Sequence, residues 1–171
     1  MESLPHDPTI QADERLPIRA LKLALEYHDG QVDKAGIPVA LHIIRVGLRA
    51  MLHAASIEEM YLLLAIGLLH DILEDTDISQ EEFQEAIAHP LVYDSVVRLT
   101  RLKEQTYFEY IEEVSVDKYA SMVKMADIED HLEDRGTGFV LPDSLRHRYE
   151  TAKKQLLRHN ESLKELYGQE L

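Results

Sequence analysis

Residues 58–76 read EEMYLLLAIGLLHDILEDT. Met60 to Leu69 is an unbroken apolar run, too short to cross a bilayer. Ser56-Ile57-Glu58-Glu59 in front of it has the pattern of a capping box and predicts a helix start there. The run ends on His70-Asp71, with Glu74-Asp75 one turn later. The stretch therefore predicts a buried helix that delivers an imidazole and several carboxylates to its C-terminal end. Ionised carboxylates at a helix end packed into a core need pairing or a cation. Histidine beside carboxylate suits Mn²⁺, Fe²⁺, Zn²⁺ or Mg²⁺. Acids at a helix C-terminus also oppose its dipole, so Glu74, Asp75 and Asp77 read as functional rather than as a solvated turn.

Working outward, helix is predicted throughout. Pro17 to about Tyr27 is amphipathic, with Ile18, Leu21 and Leu25 on one face. HDGQVDKAG, from His28 to Gly36, is a polar loop, and Pro38 suits the first turn of a helix running to about Ala54. Ser79-Gln80-Glu81-Glu82 forms a second capping-box pattern. Further helices are expected over about Pro90–Arg101, Thr106–Val114 and Asp117–Glu133. Arg135-Gly136-Thr137-Gly138 is the clearest internal loop; Pro142 starts another helix and Asn160 caps the last. No stretch shows strand alternation. The expected fold is all-α, a bundle of about eight to ten helices, with residues 1–16 as an arm and 17–171 as one domain.

Composition narrows the function classes. A formal net charge of −14 argues against a nucleic-acid polymer as partner, though not against a small nucleotide. The absence of cysteine removes disulfides, thiolate zinc sites and thiol nucleophiles together. The first ten residues, MESLPHDPTI, show no secretory signal, and no membrane span is predicted, so a cytoplasmic protein is expected. The oligomeric state stays open, a homo-oligomer included.

Two other places put ligand-type side chains on apolar helices. His42 lies in PVALHIIRVG, among Val39, Ile43 and Val46; Asp127 lies in SMVKMADIED. A lone histidine on an apolar helix is more often a core residue than a ligand, and a lone Asp127 has Lys124 nearby to pair with. Their joint appearance with His70-Asp71 changes that balance.

The order His … His-Asp … Asp resembles the HD-domain phosphohydrolases, and more narrowly the hydrolase domain of the RelA/SpoT type, including small stand-alone alarmone hydrolases. HDGQVDKAGIPVALHI (28–43) resembles that group's loop HxGQxxKxGxPYxxHP; LLHDILEDT carries HDxxED in full; VKMADIEDH resembles its K-x-A-D-R-x-x-N segment. LTRLKEQTYFEYIEEV (99–114) resembles a segment of small bacterial proteins of this type. The similarity runs from about Leu21 to Leu157. It implies an HD-type bundle in which His42, His70, Asp71 and Asp127 hold one metal ion, Mn²⁺ in the alarmone hydrolases, with Zn²⁺, Fe²⁺, Mg²⁺ and Co²⁺ as alternatives. Glu74 and Asp75 would orient or deprotonate the attacking water. Lys34, Arg101, Lys124, Arg148 and Tyr149 would contact substrate, with Arg146 beside them. His28 and Gln31 are expected to shape the loop.

The implied activity is hydrolysis of a phosphate or pyrophosphate ester on a nucleotide, most specifically removal of the 3′-pyrophosphate of (p)ppGpp. The alternatives are an HD phosphohydrolase acting on a deoxynucleotide or on NADPH, and a non-catalytic nucleotide- or metal-binding regulator. The hydrolase-like region runs to the end of the chain, so alarmone synthesis is not expected. The departures lie in substrate recognition. Asp33 stands where the group has a base-stacking Arg, Val39 for a Tyr, Ile43 for a Pro, Ile128 for an Arg and His131 for an Asn. An acid cannot stack on guanine as a guanidinium does. His131, one turn from Asp127, lies within reach of the metal shell or the substrate.

Overall fold

The computed structural model describes residues 13–134, 136 and 138–168. Residues 1–12, most of the expected arm, lie outside the described residues, as do Arg135 and Thr137 of the expected loop. The described residues form ten helices: α1 (Leu16–Tyr27), α2 (Val39–Met51), α3 (Ile57–Leu69), α4 (Ile72–Asp75), α5 (Gln80–Ile87), α6 (Pro90–Leu99), α7 (Tyr107–Ser115), α8 (Lys118–Leu132), α9 (Asp143–His159) and α10 (Glu161–Tyr167). One isolated bridge, Val32 to Pro38, closes the loop before α2. The all-α expectation and the helix number hold.

α3 and α8 form the centre. α3 packs against α1, α2, α6 and α8, while α8 also meets α7 and α9. α3 is apolar on every side, as a helix enclosed by neighbours must be, and Leu62, Leu63, Ala65, Ile66 and Leu69 are almost fully buried. α8 is equally enclosed from Ala120 to Ile128, yet it carries Lys124, Asp127 and Asp130 inward. Those polar side chains need partners, and they find them in the site described below.

Several local expectations need correction. The α1 stripe that faces the core is Leu16, Ala20 and Ala24, while Ile18 and Leu25 are exposed. Small residues let α1 lie close against α3, which the larger aliphatics would prevent. α2 stops at Met51, three residues early, and the chain leaves in successive turns. α6 stops at Leu99, where Thr100 becomes extended and its hydroxyl donates to the Val96 carbonyl. Ser56 caps α3 by accepting from the Glu59 N–H, but the box is half made: the Glu59 carboxylate accepts from Ala55 N–H and Lys118 instead. The Ser79–Glu82 box is complete, and Thr106–Glu109 makes another.

The largest correction concerns the opening stretch. α3 ends at Leu69, and a separate single turn, α4, begins after Asp71. Glu74 and Asp75 thus close a separate single turn, and their N–H groups point back to the Asp71 carbonyl, at 3.1 and 2.8 Å. The dipole argument against a solvated turn fails, because these acids do not end the long helix. Their position in the cleft has to carry the case.

α2 and α3 cross at glycines. A Cβ at Gly67 would lie 2.5 Å from the Gly47 Cα and 2.9 Å from its nitrogen. Backbone therefore touches backbone between His42 and His70, and this crossing sets the spacing of the two imidazoles. Gly67→Ala has no flexible side chain to displace and must push the helices apart. We expect a loss of about 1–3 kcal/mol in denaturant unfolding, with weaker divalent-metal uptake. An unchanged midpoint would show that the crossing is not a constraint.

Candidate metal centre and active-site cleft

Three elements bring the predicted ligands together: α2 supplies His42, the α3–α4 junction His70 and Asp71, and α8 Asp127. The His42 Nε2 lies 3.3 Å from Asp127 Oδ1 and 3.7 Å from Asp71 Oδ2. The His70 Nε2 lies 3.0 Å from Asp71 Oδ2 and 3.7 Å from Asp127 Oδ1. Donors ~2.0–2.3 Å from one ion stand ~2.8–3.7 Å apart, so the spacing fits a single divalent cation.

The hydrogen-bonding pattern fits too. The His70 Nδ1–H donates to the Gly67 carbonyl at 2.8 Å, and the His42 Nδ1–H donates to Asp130 Oδ2 at 2.7 Å. With a metal bound, each imidazole is neutral and turns its Nε2 lone pair toward the centre. His42 Nε2, His70 Nε2 and Asp127 Oδ1 are buried and lack a hydrogen-bond partner. Such a cluster is stable only with positive charge at its centre, a metal ion or the protons of the imidazoles.

The carboxylates are held ionised. Burial alone would raise the Asp71 carboxyl, but His70 outweighs it and brings it down to about 2. Burial would likewise lower His70, yet Asp71 and Asp127 push it up to about 10. Asp127 is held well below the usual range against its burial, chiefly by Lys124 and then His131. Lys124 Nζ lies 2.8 Å from Asp127 Oδ2, leaving Oδ1 for the centre. Asp130, fully buried, accepts from His42 and from both Arg45 Nε and Nη2, at 2.7 and 3.1 Å. This carboxylate–imidazole pair orients the ligand ring from behind. Sequence reasoning passed over Asp130 and Arg45. The available signal was position, since Asp130 is three residues from Asp127 and so shares its helix face.

The centre opens into a cleft of about 1090 Å³. Glu74, Asp75, Lys34, Arg101, Lys124, Arg146, Arg148 and Tyr149 all line it. Glu74 Oε2 accepts from the Arg101 backbone N–H at 3.2 Å, which ties α4 to the end of α6. Asp75 is raised by burial first and then by the charges of Asp71 and Glu74, which suits it to accept a proton. Gln31 joins the loop to this floor: its amide donates to the Asp75 carbonyl, and its oxygen faces the His28 Nδ1. Arg148 lies over the Tyr107 ring at 4.7 Å, and Tyr149 stacks on His131 with planes 4° apart. Tyr107, Phe139 and Leu145, not foreseen from the sequence, give the cleft an aromatic and aliphatic side. Asp33 Oδ1 accepts from the N–H groups of Ala35 and Ile37, at 2.8 and 2.9 Å. That acid shapes its own loop, around Gly36 at φ +77°, beside Lys34. Among the described residues, no helix is long and apolar enough to cross a membrane.

A helical bundle with two imidazoles and two carboxylates so placed has the architecture of an HD-type domain. No family model matches the chain. It is 33% identical to chloroplastic RSH1 of Arabidopsis thaliana over 110 residues, 61% of this chain and 12% of that protein. It is 31% identical over 90 residues to a guanosine-3′,5′-bis(diphosphate) 3′-pyrophosphohydrolase of Borreliella burgdorferi, 52% of this chain and 13% of that one. A solved structure, described as a metazoan ortholog of SpoT that hydrolyzes ppGpp, superposes with a TM-score of 0.68 at 26% identity, covering 93% of this chain and 97% of the other. The chain thus spans a small part of the curated relatives it matches but nearly all of this structural neighbour. In sequence and fold the chain is similar to RelA/SpoT-type domains of the HD kind.

Proposed function

We propose that the chain is a metal-dependent phosphohydrolase that removes the 3′-pyrophosphate of (p)ppGpp. The observation that carries the proposal is the set of buried, unpartnered donors His42 Nε2, His70 Nε2 and Asp127 Oδ1, opening on a cleft beside Glu74 and Asp75. The likeness to ppGpp hydrolases supports the substrate class. His42, His70, Asp71 and Asp127 would hold a divalent ion, which would supply acidity to water and offset charge on phosphoryl oxygens. Mn²⁺ is the ion the family resemblance favours, and the cytoplasm is the proposed setting.

The chain's own residues do the rest. Asp75 accepts the proton of the attacking water, and Glu74, anchored on the Arg101 N–H, orients it. Lys34, Arg101, Arg146 and Arg148 supply positive charge to a cleft whose floor is acidic. Lys124 is committed to Asp127 and acts by positioning that carboxylate. Tyr149 and Tyr107 form the wall against which a nucleoside can lie.

One observation favours a second reading, a phosphatase for another nucleotide. Asp33, at the position of the base-stacking arginine, is engaged with its own loop. The test is a panel of ppGpp, pppGpp, deoxynucleotides and NADPH with Mn²⁺. The expected result is GDP and pyrophosphate from ppGpp. Phosphate release from another member alone selects the second reading, and inactivity across the panel and across metals ends both.

A further inference from the structure

We propose that His131 is a third imidazole ligand of the metal centre, so that its donor set is three histidines and two aspartates. The inference rests on the reading of His42, His70, Asp71 and Asp127 as a metal site.

Three imidazoles converge on one oxygen. The Nε2 atoms of His131, His42 and His70 lie 3.2, 3.3 and 3.7 Å from Asp127 Oδ1. The His131 ring centroid is 4.8 Å from that of His42, nearer than the His70 centroid at 5.2 Å. Its spacing to the shared carboxylate oxygen is thus that of the two proposed ligands. His131 sits in the last turn of α8, one turn from Asp127, so the two side chains project from one face. Its ring is clamped between His42 and the parallel ring of Tyr149, 5.1 Å away. The clamp fixes the ring plane with Nε2 turned inward. The side chain is 37% exposed, and it borders the cleft rather than the core.

The opposite oxygen of Asp127 is already taken by Lys124. His131 therefore has no claim on that side and meets the carboxylate at the oxygen that faces the centre. A third neutral nitrogen donor favours ions along the series toward Co²⁺ and Zn²⁺ over harder Mn²⁺ and Mg²⁺. His131 would thus be a metal-selecting residue.

The test uses the purified protein and its His131→Asn variant, titrated separately with Zn²⁺, Co²⁺ and Mn²⁺. X-ray absorption of the Zn²⁺ form counts imidazoles, and visible absorption follows the Co²⁺ form. We expect three imidazoles in the parent and two in His131→Asn, a changed Co²⁺ spectrum, and a Zn²⁺-to-Mn²⁺ affinity ratio at least about tenfold smaller in the variant. Two imidazoles in the parent, with an unchanged Co²⁺ spectrum in His131→Asn, would mean that His131 only hydrogen-bonds Asp127, and overturns the inference alone. Failure of the parent to bind any of the three ions overturns the metal-site reading itself.

Discussion

Asp127→Asn is expected to abolish metal uptake and also to destabilise the fold, whereas Asp71→Asn is expected to abolish uptake with little loss of stability. The difference follows from what each carboxylate holds. Asp127 is 3% exposed and is the counter-ion of Lys124, itself enclosed between α7 and α8 with its ammonium 5.3 Å above the Tyr110 ring. Neutralising Asp127 strands that ammonium in the interior, and breaking a buried pair in this way costs about 3–5 kcal/mol. Asp71 lies at the rim, with 27% of its side chain exposed, and its ion-pair partners are the imidazoles of the centre. Without it His70 keeps Asp127 and remains anchored by the Gly67 carbonyl, so the cost is about 1 kcal/mol. Calorimetry of the metal-free proteins separates the two, and metal analysis after dialysis reads the shared loss. Retention of a full equivalent of metal by Asp71→Asn would remove it from the ligand set. Equal stability of the two variants would show that Lys124 does not depend on Asp127.

The parts of this molecule that were legible in advance are those in which local pattern and global role agree. The apolar run of α3, the Ser79 box and the Asn160 cap each satisfy their own backbone and predict an element without outside help. The ligand candidates were legible because His42, His70 and Asp127 are polar side chains in apolar surroundings, which need a reason. Asp130 escaped notice because it stands in the run IEDH, where an acid among acids reads as surface; only the packing of α2 on α8 makes it fully buried and aims it at His42. The break after His70 escaped for a related reason. Nothing in HDILED forbids a continuous helix, and the interruption is seen only in the backbone at Asp71, whose carbonyl receives the N–H groups of both Glu74 and Asp75. Asp33 illustrates a third limit. Its identity revealed that an arginine was absent, but its job, bonding two N–H groups of its own loop, is a matter of conformation.

The interruption at Asp71 bears directly on the second large effect. Because Glu74 and Asp75 belong to a separate turn, they can be altered without unravelling the helix that leads to His70. Glu74→Ala is expected to keep a full equivalent of metal and to lower kcat by about 10²–10⁴. The ligands stay in place, since Glu74 contacts the Arg101 N–H rather than any of the four. The residual activity carries a further signature. The Asp75 carboxyl is raised by burial, by Asp71 and by Glu74, so removing the Glu74 charge lets it fall toward its ordinary value. A base with a lower pKa stays deprotonated to lower pH, and the acid limb of the pH–kcat profile therefore moves down in Glu74→Ala. In Asp75→Asn that limb disappears, because the titrating group is gone. Single-turnover rates across pH, on protein checked for metal content, distinguish the cases. Full activity in Glu74→Ala removes it from the chemistry. An acid limb that stays fixed in Glu74→Ala and persists in Asp75→Asn assigns the proton to another group in the cleft.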